Sequence, residues 1–106
     1  MYIKVNNKNI DIIECTSFKE RFKSLKFVLD PITYGIKIPN KRLVSTYFFC
    51  QKVDILVTDK DNKIIYLSEN TKSEKKKLLP KKYNIYYLPL NTIKHLKLND
   101  TINEKK

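Results

Sequence analysis

Residues 46–67, TYFFCQKVDILVTDKDNKIIYL, carry the clearest structural signal in this chain. Apolar and β-branched residues dominate 53–58 and 63–67, and the polar run 59–62 lies between them. Two such runs joined by turn-forming residues predict a β-hairpin. The aromatic residues at 47–49 come just before it and predict the end of another strand.

Shorter runs extend the sheet on both sides of this hairpin. Residues 2–5 and 10–12 alternate apolar and polar side chains around the turn formers at 6–9, which predicts another hairpin. Two further strands are expected at 43–49 and at 83–88, the second bracketed by Pro80 and Pro89. Because strands at hairpin spacing pair with their neighbours, we predict a compact antiparallel, barrel-like sheet of about six or seven strands.

One helix is predicted beside this sheet, which makes the fold class α+β. Ser17 and Glu20 have the spacing of a capping box, in which each side chain bonds a main-chain N–H of the first turn. Apolar residues then recur at helical spacing from Phe18 to Leu25 and form a single stripe. We therefore expect one short capped helix there, packed on the sheet through this stripe.

Gly35 is the only glycine in the chain. A sequence that otherwise avoids glycine keeps one where the backbone needs a positive φ or where another group approaches it closely. We expect one of these two constraints at Gly35.

The length and composition indicate one globular domain. At 106 residues, of which 42% are hydrophobic, the chain can bury a single core. We assign residues 1–102 to this domain and expect the polar tail 103–106 to fray. The sequence shows no secretory segment and no apolar run near the ~20 residues that a membrane span needs, so it predicts a cytoplasmic protein without a membrane span.

The formal net charge of +11 raises the question of an anionic partner. Only Arg21 and Arg42 are arginines, and arginine is the residue best suited to bidentate phosphate contacts. The densest basic cluster is a predicted lysine-rich loop at 75–82, which contains Lys75, Lys76, Lys77, Lys81 and Lys82. This loop either binds nucleic acid or an anionic surface weakly, through charge, or is simply a solvated surface.

Four segments, taken in order, resemble one known family. They are ERFKSLK at 20–26, TYFFCQKVD at 46–54, YYLPLN at 86–91 and ND at 99–100. Their order and spacing are similar to domain-of-unknown-function family 192, an uncharacterised small prokaryotic family. Its motifs are E-R-x-x-G-L-M, T-F-x-M-x-x-P-I-D, L-E-L-P-x-G and a late G-D. The resemblance covers residues from about 10 to 102 and implies a compact mixed β-barrel with a packed helix, but no reaction.

Several positions depart from the motifs of that family. Asn91 and Asn99 stand where the family has glycine, and asparagine is the residue that best replaces glycine in a left-handed conformation. Lys52 replaces a proline, Phe49 a methionine and Tyr87 a glutamate. If that glutamate belongs to a polar site in the family, this chain lacks it.

Asp54 is the best single candidate for a functional residue. It lies among apolar residues at the start of a strand, where a carboxylate needs a specific partner. One interpretation is that it faces a ligand at the open end of the barrel. The other, which we favour, is that it binds main-chain amides or Arg21 and so holds a loop. Together with Arg21 and the aromatic Tyr47, Asp54 defines the candidate surface for a ligand or partner.

The sequence predicts no catalytic group and no metal site. His95 is the only histidine, and Cys15 and Cys50 lack C-x-x-C spacing, which leaves no convincing set of zinc ligands. Whether the two cysteines pair with each other is left open. We predict a non-enzymatic binding or accessory module without a cofactor, which acts on a protein partner or a small ligand. The alternatives are the weak electrostatic binder and a small enzyme that uses Asp54 as acid or base.

Overall fold

The structure, a computed structural model, describes residues 2–5, 8–14, 34–45, 52–71, 76–90, 92–94 and 96–105. These residues form a seven-stranded sheet. Its strands are β1 (Tyr2–Val5), β2 (Lys8–Glu14), β3 (Gly35–Ser45), β4 (Val53–Thr58), β5 (Ile64–Thr71), β6 (Lys76–Leu88) and β7 (Asn103–Lys105). The residues outside this description include the predicted helix, Cys15, Arg21, Tyr47, Cys50, Lys75, Asn91 and His95.

The strand order in the sheet is β5-β4-β6-β3-β2-β1-β7. Five of the six neighbouring pairs are antiparallel, so the prediction of a mostly antiparallel sheet is confirmed. The two predicted hairpins are the β1–β2 and β4–β5 pairs. The exception is the parallel pair β2–β3, which aligns Ile12 with Gly35. Parallel neighbours need a crossover of a dozen or more residues, and residues 15–34 supply that length.

The sheet is not closed into a barrel, so the barrel-like prediction is wrong on this point. β5 and β7 are the two ends of the strand order, and one bridge, Lys63 with Thr101, joins the segments that lead into them. Beside it, the main-chain N–H of Ile64 donates to the carbonyl of Asp100 at 2.8 Å. Barrel closure requires a continuous ladder between the end strands, and among the described residues this contact stops after a single bridge.

Strand β4 forms the centre of the core because all six of its residues are buried. Its alternating side chains enter two different apolar clusters, one on each face of the sheet. The first cluster contains Val53, Ile55 and Val57, together with Ile36, Ile38, Val44, Leu79, Ile85 and Tyr87. The second contains Leu56, together with Ile3, Ile10, Ile12, Ile64, Tyr86, Leu88, Ile93 and Ile102. A strand that is buried on both faces reads as a nearly continuous apolar run, which is how residues 53–58 appear in the sequence.

Gly35 allows a close approach between three neighbouring strands. A β-carbon at this position would lie 2.6 Å from Cδ1 of Ile12 and 2.6 Å from Cδ2 of Leu88. Its φ is not positive. Of the two constraints expected from the sequence, close packing therefore applies, because the side chains of β2 and β6 occupy the space that a larger residue would need.

The β4–β5 turn forms as predicted and is held by Asp59. Its Oδ1 accepts hydrogen bonds from the main-chain N–H of Asp61 at 2.9 Å and of Lys63 at 3.0 Å. Asn62 completes the turn with φ of 63°. Asparagine also takes the positive φ at Asn99, where the resembled family has glycine, with a value of 74°.

The C-terminal residues differ from the prediction of a frayed tail. Asn103–Lys105 form β7, which pairs with β1 and aligns Lys105 with Tyr2. The segment before it is anchored by Ile102, which is buried and whose N–H donates to the carbonyl of Asn62 at 3.0 Å. A strand of polar composition can form here because main-chain hydrogen bonds, rather than side chains, hold it against β1.

Candidate functional site

Asp54 is a buried carboxylate that joins three parts of the chain. Only 1% of its surface is exposed. Oδ1 accepts a hydrogen bond from the N–H of Asn70 at 2.9 Å, at the end of β5. Oδ2 accepts hydrogen bonds from the N–H of Thr92 at 2.9 Å and of Ile93 at 3.3 Å, after the end of β6. Hydrogen bonds to an ionised acceptor are among the stronger ones, so Asp54 fastens both segments to β4.

These contacts bear on the two interpretations of Asp54. Main-chain N–H groups engage both of its oxygens, which is the arrangement expected of a residue that holds a loop. Arg21 and Tyr47, the other members of the predicted surface, lie outside the described residues. A ligand- or partner-binding surface made by Arg21, Tyr47 and Asp54 therefore stays a prediction.

A second candidate site lies on the outer halves of β3 and β6. We call it the basic ribbon and define it as residues 41–45 and 76–83. Its two strands are antiparallel, with Leu43 opposite Leu78 and Val44 opposite Lys77. The lysine-rich segment was predicted to be a loop, and this is wrong for residues 76–82, which belong to strand β6.

A large bulge in β6 explains how this segment can be a strand despite its proline. Lys41 pairs with Tyr83 and Leu43 pairs with Leu78, so residues 79–82 lie opposite Arg42 alone. The Nε–H of Arg42 donates to the carbonyl of Leu79 at 3.2 Å and spans the bulge. Proline lacks an N–H and is tolerated in a bulge, where the regular ladder is interrupted. Pro80 therefore does not begin a new strand, as the sequence suggested, but lies inside β6.

The two faces of the basic ribbon differ in their surroundings. Val44 and Leu79 are buried and belong to the first core cluster. Leu43 and Leu78 point the other way along the alternating strands, with 47% and 68% of their surfaces exposed. The ribbon is therefore anchored to the core on one side and presents a directly paired set of leucines on the other.

The charge of the basic ribbon is of one sign. Residues 41–45 and 76–83 contain no aspartate or glutamate. Six cationic side chains belong to it, namely Lys41, Arg42, Lys76, Lys77, Lys81 and Lys82. All of them are exposed except Lys41, which is half-buried. The ammonium of Lys77 lies 4.8 Å from the centroid of the Tyr66 ring, so this lysine leans back over β5.

Sequence reasoning found only one strand of this surface. It identified Lys76, Lys77, Lys81 and Lys82, whereas Lys41 and Arg42 were missed because they lie some 40 residues earlier. The signal available in the sequence was that Lys41 and Arg42 are adjacent and come directly before the predicted strand at 43–49. The pairing of β3 with β6, which brings the two groups together, requires the register, and the register is a property of the fold.

Two buried polar side chains lie away from both candidate sites. Thr58 is fully buried. Among the residues that the structure describes, its Oγ1 is the one buried side-chain oxygen or nitrogen that makes no hydrogen bond. Lys37 is also buried, and its ammonium lies 5.6 Å from the centroid of the Tyr86 ring. Within the described residues, no cluster of three histidine, cysteine, aspartate or glutamate side chains could hold a metal ion. The same residues contain no helix long and apolar enough to cross a membrane.

The comparisons with known proteins identify the fold. No protein-family model matches the chain, and no curated protein matches its sequence. A protein of unknown function from Novosphingobium aromaticivorans has a similar structure, with a TM-score of 0.75, 11% sequence identity, and coverage of 97% of this chain and 82% of that one. A Sinorhizobium meliloti protein described as a "putative transcription regulator" gives a TM-score of 0.76 at 12% identity, covering 96% of this chain and 89% of that one.

At such low identity these two structures establish a shared architecture and nothing about activity. The chain is thus a small protein whose fold is similar to that of two bacterial proteins, one of which has no known function. The resemblance to family 192 stays a prediction, since no family model matches.

Proposed function

We propose that this chain is a non-enzymatic binding or accessory module, and that it holds an anionic partner through the basic ribbon. The observation that carries the proposal is the composition of that ribbon. Its two strands carry six cations and two exposed, paired leucines, and no acidic residue lies among them. A surface whose charges are all positive attracts anions electrostatically.

The rigid attachment of the ribbon to the core supports a binding role. Val44 and Leu79 pack into the core from the opposite face, and the Arg42–Leu79 hydrogen bond spans the bulge. A surface held in this way is already ordered, so binding loses less conformational entropy than it would on a mobile loop. This distinguishes the ribbon from lysines scattered over turns.

The surface predicted around Arg21, Tyr47 and Asp54 ranks below the ribbon as a partner site. Asp54 is buried, and main-chain donors already bind its carboxylate. Burial also speaks against Asp54 as a catalytic acid or base, because such a group must reach a proton of the substrate and this carboxylate is only 1% exposed.

Nucleic acid is one candidate for this anionic partner. The Sinorhizobium meliloti relative is described as a transcription regulator, although its likeness extends to the fold alone. Lysines placed along a two-stranded ribbon would contact phosphates and release their counterions, which gives affinity that falls steeply with salt. We also propose that the chain is a divergent member of family 192, supported by the order of its four motifs. Sequences of intermediate similarity that align with both over all four motifs would test this.

The binding role can be tested with heparin as a model polyanion. The ribbon variant combines Lys76→Gln, Lys81→Gln and Lys82→Gln. The control combines Lys60→Gln, Lys94→Gln and Lys97→Gln, which remove the same charge from exposed positions outside the ribbon. We expect the ribbon variant to elute from immobilised heparin at clearly lower salt than the control. Equal elution of the two variants would show that net charge alone governs binding, and the proposal would then be wrong.

A further inference from the structure

We infer that the partner of the basic ribbon is the surface of an anionic phospholipid membrane, an inference that rests on the proposed function. The ribbon would lie flat on the membrane, with Leu43 and Leu78 in the interfacial region and the lysines at the level of the headgroups.

The exposed leucines form one continuous apolar patch. Leu43 and Leu78 are direct cross-strand partners, and such residues have β-carbons about 5 Å apart. Exposed Pro80 follows on the same strand and adds a side chain without charge. Neither phosphate groups nor a polar saccharide would cover these atoms. A bilayer interface would, since apolar side chains enter it to a depth of about 5–10 Å, at the boundary between headgroups and acyl chains.

Three exposed cations accompany this patch on strand β6. Lys76, Lys81 and Lys82 are exposed in the same strand as Leu78. A lysine stem can lie along apolar material while its ammonium stays in water, so lysines next to an inserted leucine remain hydrated. Each basic residue near an anionic membrane surface contributes about 1 kcal/mol of attraction. Neither term is large alone, and binding depends on both together.

The residue types of the ribbon suit lipid better than nucleic acid or protein. It has a single arginine, Arg42, whose Nε already bonds Leu79. Single-strand binders stack bases on aromatic side chains, yet the one aromatic residue of the ribbon, Tyr83, is half-buried. The cores of protein interfaces are enriched in aromatic residues and arginine and depleted in lysine. Lipid headgroups require no such directional contacts, and lysine is sufficient for them.

Tryptophan fluorescence offers a direct test, because the natural chain contains no tryptophan. Leu78→Trp places one fluorophore on the ribbon, and Leu98→Trp places one at another leucine that is 55% exposed. Both proteins are titrated with vesicles of phosphatidylcholine and with vesicles of equal parts phosphatidylcholine and phosphatidylserine. We expect a blue shift of emission only for Leu78→Trp and only with the anionic vesicles. A shift for neither variant, or an equal shift for both, would overturn the inference.

Vesicle sedimentation then separates the two contributions. Leu43→Ser combined with Leu78→Ser should weaken partitioning onto the anionic vesicles at least about tenfold, the effect of losing roughly 1.4 kcal/mol of apolar burial. The control, Leu90→Ser combined with Leu98→Ser, changes two other exposed leucines and should leave partitioning unchanged. The lysine-to-glutamine ribbon variant should lose binding as well, while retaining the far-ultraviolet spectrum of the parent.

The outcomes distinguish the inference from the function on which it rests. Heparin binding through the ribbon without vesicle binding would overturn the membrane inference and leave the binding module intact. If duplex DNA or an acidic peptide binds instead, and the lysine variant abolishes this while the leucine variant does not, the partner is that polyanion and the inference is wrong. Absence of binding to heparin and to vesicles alike would overturn both proposals.

Discussion

Oδ2 of Asp54 accepts a hydrogen bond from the main-chain N–H of Thr92 at 2.9 Å, across 38 residues of chain. The other carboxylate oxygen accepts one from Asn70 at the same distance, 16 residues away. One side chain at the beginning of β4 therefore holds the end of β5 and the segment that follows β6. Four predictions on stability follow from contacts of this kind, and each can be checked by urea unfolding.

Asp54→Asn should lower the free energy of unfolding by about 1–3 kcal/mol. The substitution replaces one acceptor oxygen with an N–H₂ group, which cannot accept a hydrogen bond from the main-chain N–H that faces it. The affected main-chain donor would be left without an acceptor. Asp61→Asn is the matched control, since Asp61 is exposed and should change stability by no more than about 0.5 kcal/mol. Equal stabilities of the two variants would mean that the three hydrogen bonds contribute little.

Gly35→Ala should also destabilise the protein, by about 1–3 kcal/mol, through overpacking. The new β-carbon would meet Cδ1 of Ile12 and Cδ2 of Leu88, both in the buried core. Ile12→Val removes one of these atoms. We therefore expect the double variant to lose less stability than the sum of the two single variants, and strictly additive losses would contradict the proposed contact.

Thr58→Val is expected to raise the free energy of unfolding by about 1 kcal/mol, since it replaces a buried hydroxyl that lacks a partner with a methyl group of similar size. The same substitution at Thr71 is the natural comparison. The Oγ1 of Thr71 lies 2.7 Å from Ser68 Oγ and 3.3 Å from the Ser68 carbonyl. Thr71→Val should therefore be destabilising, and opposite signs at the two positions are the result to look for.

Substitution of Asn99 tests the conformational role of asparagine at positive φ. Asn99→Gly should keep or slightly raise stability, because glycine adopts φ of 74° without strain. Asn99→Ala should lower it by about 1–2 kcal/mol. The residue also donates its main-chain N–H to the Ile64 carbonyl at 2.9 Å, so the strain would be felt where the two ends of the sheet meet. Indistinguishable alanine and glycine variants would contradict this account.

The β4–β5 hairpin could be predicted from the sequence because its determinants are local. Val53–Thr58 is apolar except for Asp54 and Thr58, and Asp59 and Asn62 have the chemistry that the turn requires. The close packing at Gly35 was also foreseen as one of two possibilities. Its partners, Ile12 and Leu88, were not, because they come from strands 23 and 53 residues away in the chain.

What the sequence did not reveal depends on contacts between distant residues. Pro80 suggested a strand boundary, and only the bulge opposite Arg42 explains why β6 continues through it. β7 has a polar sequence, so its existence follows from the main-chain edge that β1 offers. For the candidate sites, Asp54 was identified as a residue with a specific partner, but its actual donors, Asn70, Thr92 and Ile93, are main-chain groups that carry no signature in sequence.

The pairing of β1 with β7 has a consequence for synthesis of the protein. Tyr2 aligns with Lys105, so β1 leaves the ribosome long before its outer neighbour β7 has been made. Until then, the outer edge of β1 presents unsatisfied main-chain groups that a neighbouring nascent chain could pair with. On crowded polysomes, the interval between the synthesis of β1 and that of β7 is therefore the period in which this edge is most exposed to aggregation.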